Sequence, residues 1–132
     1  MSKEGIGVAA TVRATADEAR AVVQGFYQWY LGYPGDPLAE RAYRDRPELT
    51  PFWISQMDEH LNDPGGDRPD PFLCSRERPS YLTVGRVTVV SLHASASVHS
   101  SDLAHPLTVR MRWAQGRWLI DEILCVPAGA TR

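Results

Sequence analysis

The stretch that decides the fold is Leu107-Thr-Val-Arg-Met-Arg-Trp-Ala-Gln-Gly-Arg-Trp-Leu-Ile-Asp-Glu-Ile-Leu124. Apolar and polar residues alternate on both sides of Gln115-Gly116, the pattern of two antiparallel strands joined by a tight turn. A two-residue loop sets Trp113 opposite Trp118, Met111 opposite Ile120 and Leu107 opposite Leu124. The apolar sets then share one face. A four-residue loop keeps the same register, whereas a slip of one residue would scramble both faces. On the other face this register puts Arg110 opposite Asp121, with Arg112 diagonal to it. That pair is either an ordinary cross-strand ion pair, contributing under ~1 kcal/mol if exposed, or the leading polar feature of a binding site. Glu122 falls on the face of Trp118 and Ile120, where a carboxylate needs a partner or a wet cavity, or else must reach solvent at the sheet edge.

Working outward, the period changes from two to that of helices. Tyr81 to Ser91 reads as a strand, His93 to His99 as a second with one wet face, and Ser100-Ser-Asp102 as a turn. Pro106 can begin a strand but not interrupt one. Upstream, Ala19, Val22, Val23, Phe26 and Tyr30 form a helical stripe. Thr15-Ala-Asp-Glu18 has the form of a capping box at its start. The helix is predicted to run to about Leu31, stopped by Gly32, Pro34, Gly35 and Pro37. Residues 38–46 can hold a short helix, and Thr50-Pro51 opens another that continues to about Asn62. Asp63 to Pro71, with three prolines and two glycines, is a loop or linker. The expected organisation is a flexible lead-in over 1–14, one domain over 15–126 and a tail over 127–132. The fold class is α+β: N-terminal helices packed on a curved four-stranded antiparallel sheet.

Composition excludes more than it selects. The chain has 132 residues, enough for one core, and a formal net charge of −2, so no broad attraction to nucleic acid or an anionic membrane is expected. No apolar run approaches the ~20 residues of a membrane span. The N-terminus, Met1 to Ala10, lacks the continuous apolar segment of a signal peptide. Cys74 and Cys125 are too few for a disulfide scaffold; they are either two buried small hydrophobes or one bridge between the central loop and the last strand.

Helices first, then a Pro/Gly-rich crossing, then strands ending in Gly116-Arg-Trp118-Leu-Ile120: this order resembles the nuclear transport factor 2-like (cystatin-like) superfamily. More narrowly, Phe26-Tyr27-Gln-Trp29-Tyr30-Leu31 with Asp70-Pro71-Phe72-Leu73-Cys74 resembles a family of small bacterial proteins of unknown function, often exported or lipid-anchored. After Cys74 this chain has Ser75-Arg-Glu77, departing from the Gln-Asp type continuation of that family. The resemblance covers residues 15–126. It implies a cone, a bent sheet wrapped around a long helix with a pocket at the open end. It also implies a cell-envelope or exported location.

Relatives of such a fold include isomerases and hydratases as well as non-catalytic binding and dimerisation domains, so the residues must choose. His60, His93, His99 and His105 offer no metal-ligand spacing; His93 and His99 lie roughly 20 Å apart on one strand. A proton-transfer site would need a carboxylate beside a hydroxyl donor, and Tyr27, Tyr30, Asp70, Arg110, Asp121 and Glu122 are the candidate pocket residues. Asp70-Pro71-Phe72-Leu73 also reads structurally, Asp70 capping a turn and Phe72-Leu73 plugging the cone. No cofactor is implied. The expected function is a non-catalytic small-ligand-binding or protein-interaction domain, with a homodimer as one candidate assembly. An isomerase- or hydratase-type enzyme using a pocket carboxylate and Tyr, and a cell-envelope interaction protein, are the alternatives.

Overall fold

A computed structural model describes residues 3–63, 69–100 and 106–125, with side chains from residue 15 onward. The elements are α1 (Lys3–Gly32), a 3₁₀ turn (Ala42–Asp45), α2 (Pro51–Asn62), β1 (Thr83–Val90), β2 (His93–His99), β3 (Leu107–Ala114) and β4 (Arg117–Leu124). The strands form one antiparallel sheet in the order β1-β2-β3-β4, with α1 packed across β1, β2 and β4 and α2 against β4. The architecture is therefore α+β. The turn expected at Ser100-Ser-Asp102 lies largely outside the described residues, as do His105, the middle of the Asp63–Pro71 loop and the tail.

α1 begins at Lys3, so the segment expected to be frayed or extended is helical, and Thr15-Ala-Asp-Glu18 lies within the helix and does not start it. Residues 3–14 contain no Pro, and Lys3, Glu4, Ala9, Ala10, Arg13 and Ala14 favour helix, against the weaker Gly5, Gly7 and four β-branched residues. Extending an existing helix costs far less than nucleating one. The predicted stripe is the buried one: Ala19, Val23, Phe26 and Tyr30 are fully covered. α2 starts as its sequence dictates, with Pro51 in the first turn and the Thr50 hydroxyl accepting from the Trp53 amide at 3.2 Å.

The β3–β4 hairpin turns on Gln115 (φ 58°) and Gly116 (φ 78°), both left-handed, which matches a two-residue loop to the twist of its strands. Trp113 faces Trp118 and Met111 faces Ile120. Beyond that point the expected register fails. Arg110 faces Glu122, and Leu124 faces Thr108 in place of Leu107. Asp121 is the extra residue of a β-bulge. Its cause is tertiary: the Ile120 amide donates to the Glu48 carbonyl at 2.6 Å, and the Thr50 amide donates to the Ile120 carbonyl at 3.0 Å. The Thr50 hydroxyl donates to Asp121 Oδ1 at 2.9 Å. The bulge reverses the phase of β4. Ile123 turns into the core and Glu122 leaves the apolar face, which removes the buried-carboxylate anomaly expected for Glu122.

Candidate functional site

The six residues singled out from the sequence fall into two groups on opposite sides of the sheet. Tyr27, Tyr30 and Asp70 meet at the helical side; Arg110, Asp121 and Glu122 belong to the strands of the outer face.

The first group is organised by the turn from Asp70 to Ser75. The Asp70 carbonyl accepts from the amides of Leu73 (3.1 Å) and Cys74 (2.7 Å), and the Asp70 amide donates to the Ser75 carbonyl at 3.0 Å. Asp70 Oδ1 accepts from the Phe72 amide at 2.7 Å, the side-chain-to-backbone bond that makes Asp a turn residue. Cys74 adopts a left-handed φ of 55° and is joined by a disulfide to Cys125, just past β4. So held, the turn drives Phe72 into the core. Its ring lies 5.0 Å from Tyr30, 5.4 Å from Phe26 and 5.8 Å from Tyr43, spacings at which aromatic pairs attract. The Tyr27 hydroxyl donates to the Phe72 carbonyl at 2.6 Å, and the Tyr30 hydroxyl to Asp70 Oδ2 at 2.6 Å.

The electrostatics follow from this burial. Desolvation, reinforced by the Asp70 charge, pushes both tyrosine hydroxyls well above their ordinary range. Desolvation also raises Asp70 above the usual 3.8, against the lowering effect of the hydrogen bonds from Tyr30 and from the Phe72 amide. A carboxyl with a raised pKa beside a tyrosine is an ingredient of proton-transfer chemistry. Here both Asp70 oxygens and both hydroxyls are already bonded within the chain. Tyr27 lines a cleft of about 580 Å³ with Gln24, Gln28 and Tyr81. Asp70 lines a separate cavity of about 380 Å³ beside Asp36, Arg76 and Arg78. The two cavities share no lining residue, and Phe72 is fully buried against Tyr30, Phe26 and Tyr43.

The second group sits on the sheet face turned away from α1, with the start of α2 reaching it at β4. Arg110 Nη1 approaches Glu122 Oε1 at 3.5 Å, replacing the Arg110–Asp121 pair expected from unbroken alternation, while Asp121 is taken up by Thr50. Residues without a strong sequence signal complete this face. Leu119 turns away from the core cluster and lines a cavity of about 510 Å³ with Phe52, Arg112 and Arg117. Leu119 looks like one more apolar residue in a run of three, and only the register shows that it points outward. Among the described residues no group of three or more His, Cys, Asp or Glu could hold a metal ion, and no described helix is long and apolar enough to cross a membrane.

This fold has a solved counterpart. A chain of the type VI effector–immunity complex Tae3–Tai3 from Ralstonia pickettii, in its native crystal form, superposes with a TM-score of 0.60 at 20% identity, covering 85% of this chain and 96% of that one. The selenomethionine form of the same complex matches at a TM-score of 0.57 and 20% identity, over 80% of this chain and 94% of that chain. At that identity the likeness is one of fold. No family model and no curated protein matches the sequence.

Proposed function

We propose that this chain is a protein-interaction domain of the effector–immunity type: a non-catalytic protein that binds a type VI effector and blocks it. The observation that carries this reading is the shared fold with a chain of the Tae3–Tai3 complex over 85% of the sequence. The filled interior supports it, because Tyr27, Tyr30 and Asp70 spend their polar atoms holding the Phe72 turn. The Cys74–Cys125 bridge fits an oxidising compartment and supports a cell-envelope location. The two bulges, in β1–β2 and β3–β4, bend their strands and favour the nuclear transport factor 2-like cone.

The test is complex formation with the type VI effectors encoded in the same genome, measured by size-exclusion chromatography with light scattering, and protection when effector and protein are co-expressed in the periplasm. A stoichiometric complex and restored growth are expected. No complex with any of them overturns the proposal. A small-ligand reading is favoured by one feature, the cleft of about 580 Å³ beside Tyr27. A metabolite that raises the thermal midpoint, and loses that effect in Gln28→Ala, would establish it.

A further inference from the structure

The outer sheet face is crossed by one row of partners running over all four strands: Val90 faces His93, His93 faces Arg112, and Arg112 faces Leu119. The row beside it is Thr88, Ser95, Arg110 and Glu122. Among the described residues Val90, His93, Arg112, Thr88, Ser95 and Arg110 are exposed, whereas at β4 the segment from Pro47 to Phe52 lies over Leu119, which is 7% exposed. Large apolar side chains stand exposed at the same end of the sheet: Val90 at 67%, Leu92 at 57% and Phe52 at 52%. Val90 and Leu92 stand at the β1–β2 turn and Phe52 beside β4, so the apolar side chain exposed next to Arg112 and Arg117 is that of Phe52.

The charge is uneven. The chain holds sixteen acidic residues against fourteen basic ones, yet the strands carry four arginines (Arg86, Arg110, Arg112 and Arg117) and two acids, Asp121 and Glu122. Asp121 accepts from Thr50 and Glu122 faces Arg110. Arg112 and Arg117 have no ion-pair partner among the described residues. They flank the cavity of about 510 Å³ that holds Phe52 and Leu119. Two guanidinium groups around an apolar hollow are a receptor for carboxylates flanking an apolar side chain, because guanidinium forks match carboxylates in a bidentate way.

Four strands at ~4.8 Å spacing and eight residues at ~3.4 Å rise give about 500 Å² before the hairpin ends and Phe52 are added. The whole face therefore falls short of the ~800 Å² per partner of a standard interface, and the hairpin ends and the Pro47–Phe52 segment must supply the rest of the contact. A second copy of this chain is a poor occupant: a two-fold pairing of these faces would bring the arginines of one copy toward those of the other, and like charges across an interface cost several kcal/mol.

We infer that the Arg112–Arg117–Phe52 end of the outer sheet face is the docking surface for an acidic patch on the effector, with an apolar effector side chain seated against the exposed ring of Phe52. This inference rests on the effector-binding reading above. The experiment is calorimetric titration of that effector into the protein at low and moderate salt, with Arg112→Glu/Arg117→Glu and, independently, Phe52→Ser. Both variants alter exposed side chains, and their unfolding midpoints, expected within a few degrees of the parent, are checked first. The double charge reversal is expected to weaken binding at least tenfold and to flatten its salt dependence; Phe52→Ser is expected to weaken it with the salt dependence unchanged. A wild-type complex that tolerates both variants overturns the surface and leaves the effector-binding reading standing. Failure of wild-type protein to bind any effector overturns both. A homodimer that the same variants dissociate makes a second copy the occupant and overturns the acidic partner.

Discussion

The Asp70–Cys74 turn and the Arg112 row each set polar groups beside large apolar side chains, and they differ in what those groups do. In the turn, Asp70, Tyr27 and Tyr30 are bonded within the chain and Phe72 is fully buried. In the row, Arg112 and Arg117 have no ionic partner among the described residues, and Val90, Leu92 and Phe52 stand exposed. A polar cluster that satisfies itself contributes to stability, because each buried group left unpaired would cost ~1–3 kcal/mol. One left open contributes to recognition. By this criterion the residues most suggestive of chemistry, Tyr30 and Asp70, belong to the architecture, and a surface with little sequence signal is the one proposed for binding.

The comparison is tested most severely at Phe72. Phe72→Ala leaves a cavity among Tyr30, Phe26 and Tyr43 and is expected to lower the unfolding free energy by about 3–5 kcal/mol in denaturant titration. A loss under ~1 kcal/mol would mean the turn is not the structural keystone described here. Next is Thr50→Ala, which removes both the α2 cap and the donor to Asp121. A loss of about 2 kcal/mol is expected. Spectroscopic or crystallographic evidence that β4 regains unbroken alternation in this variant would show Thr50 to be the cause of the bulge.

Titration gives a third test, with a definite sign. Burial holds the folded-state pKa of Asp70 above 3.8, so the folded protein binds that proton more tightly than the unfolded chain. The contribution of Asp70 to stability is therefore greatest at pH below 3.8 and declines as pH rises through its folded-state pKa. Asp70→Asn cannot titrate. The wild-type-minus-variant difference in unfolding free energy should fall as pH climbs through that window; a difference that grows with pH contradicts the assignment. The smallest effect is expected at Arg110. It and Glu122 are 58% and 39% exposed at 3.5 Å, so Arg110→Ala should change stability by under about 1 kcal/mol.

Much of this was legible in the residues. The alternation around Gln115-Gly116 fixes Trp113 against Trp118 because the turn chemistry is local, and Thr50-Pro51 marks the start of α2 for the same reason. Asp70-Pro71-Phe72 reads as a turn because an Asp side chain bonds the amide two residues on. What alternation alone misses is the bulge at Asp121. It depends on Glu48 and Thr50, some seventy residues away in sequence, bonding to the edge of β4. That one displaced residue moves Glu122 outward, pairs it with Arg110 and brings Ile123 into the core. The capping-box pattern at Thr15 misplaces the start of α1 because nothing before it, such as a Pro, forces the helix to begin there, and extending a formed helix costs less than nucleating one.

The most direct test is a crossed pair of measurements on the same complex. Effector affinity and unfolding midpoint are determined for Phe72→Ala, at a temperature where it stays folded, and for Arg112→Glu/Arg117→Glu. The two-region account predicts that Phe72→Ala loses stability and keeps its affinity, while the charge reversal keeps its stability and loses affinity at least tenfold. The opposite crossing, with binding abolished in folded Phe72→Ala and intact in the arginine variant, would contradict it.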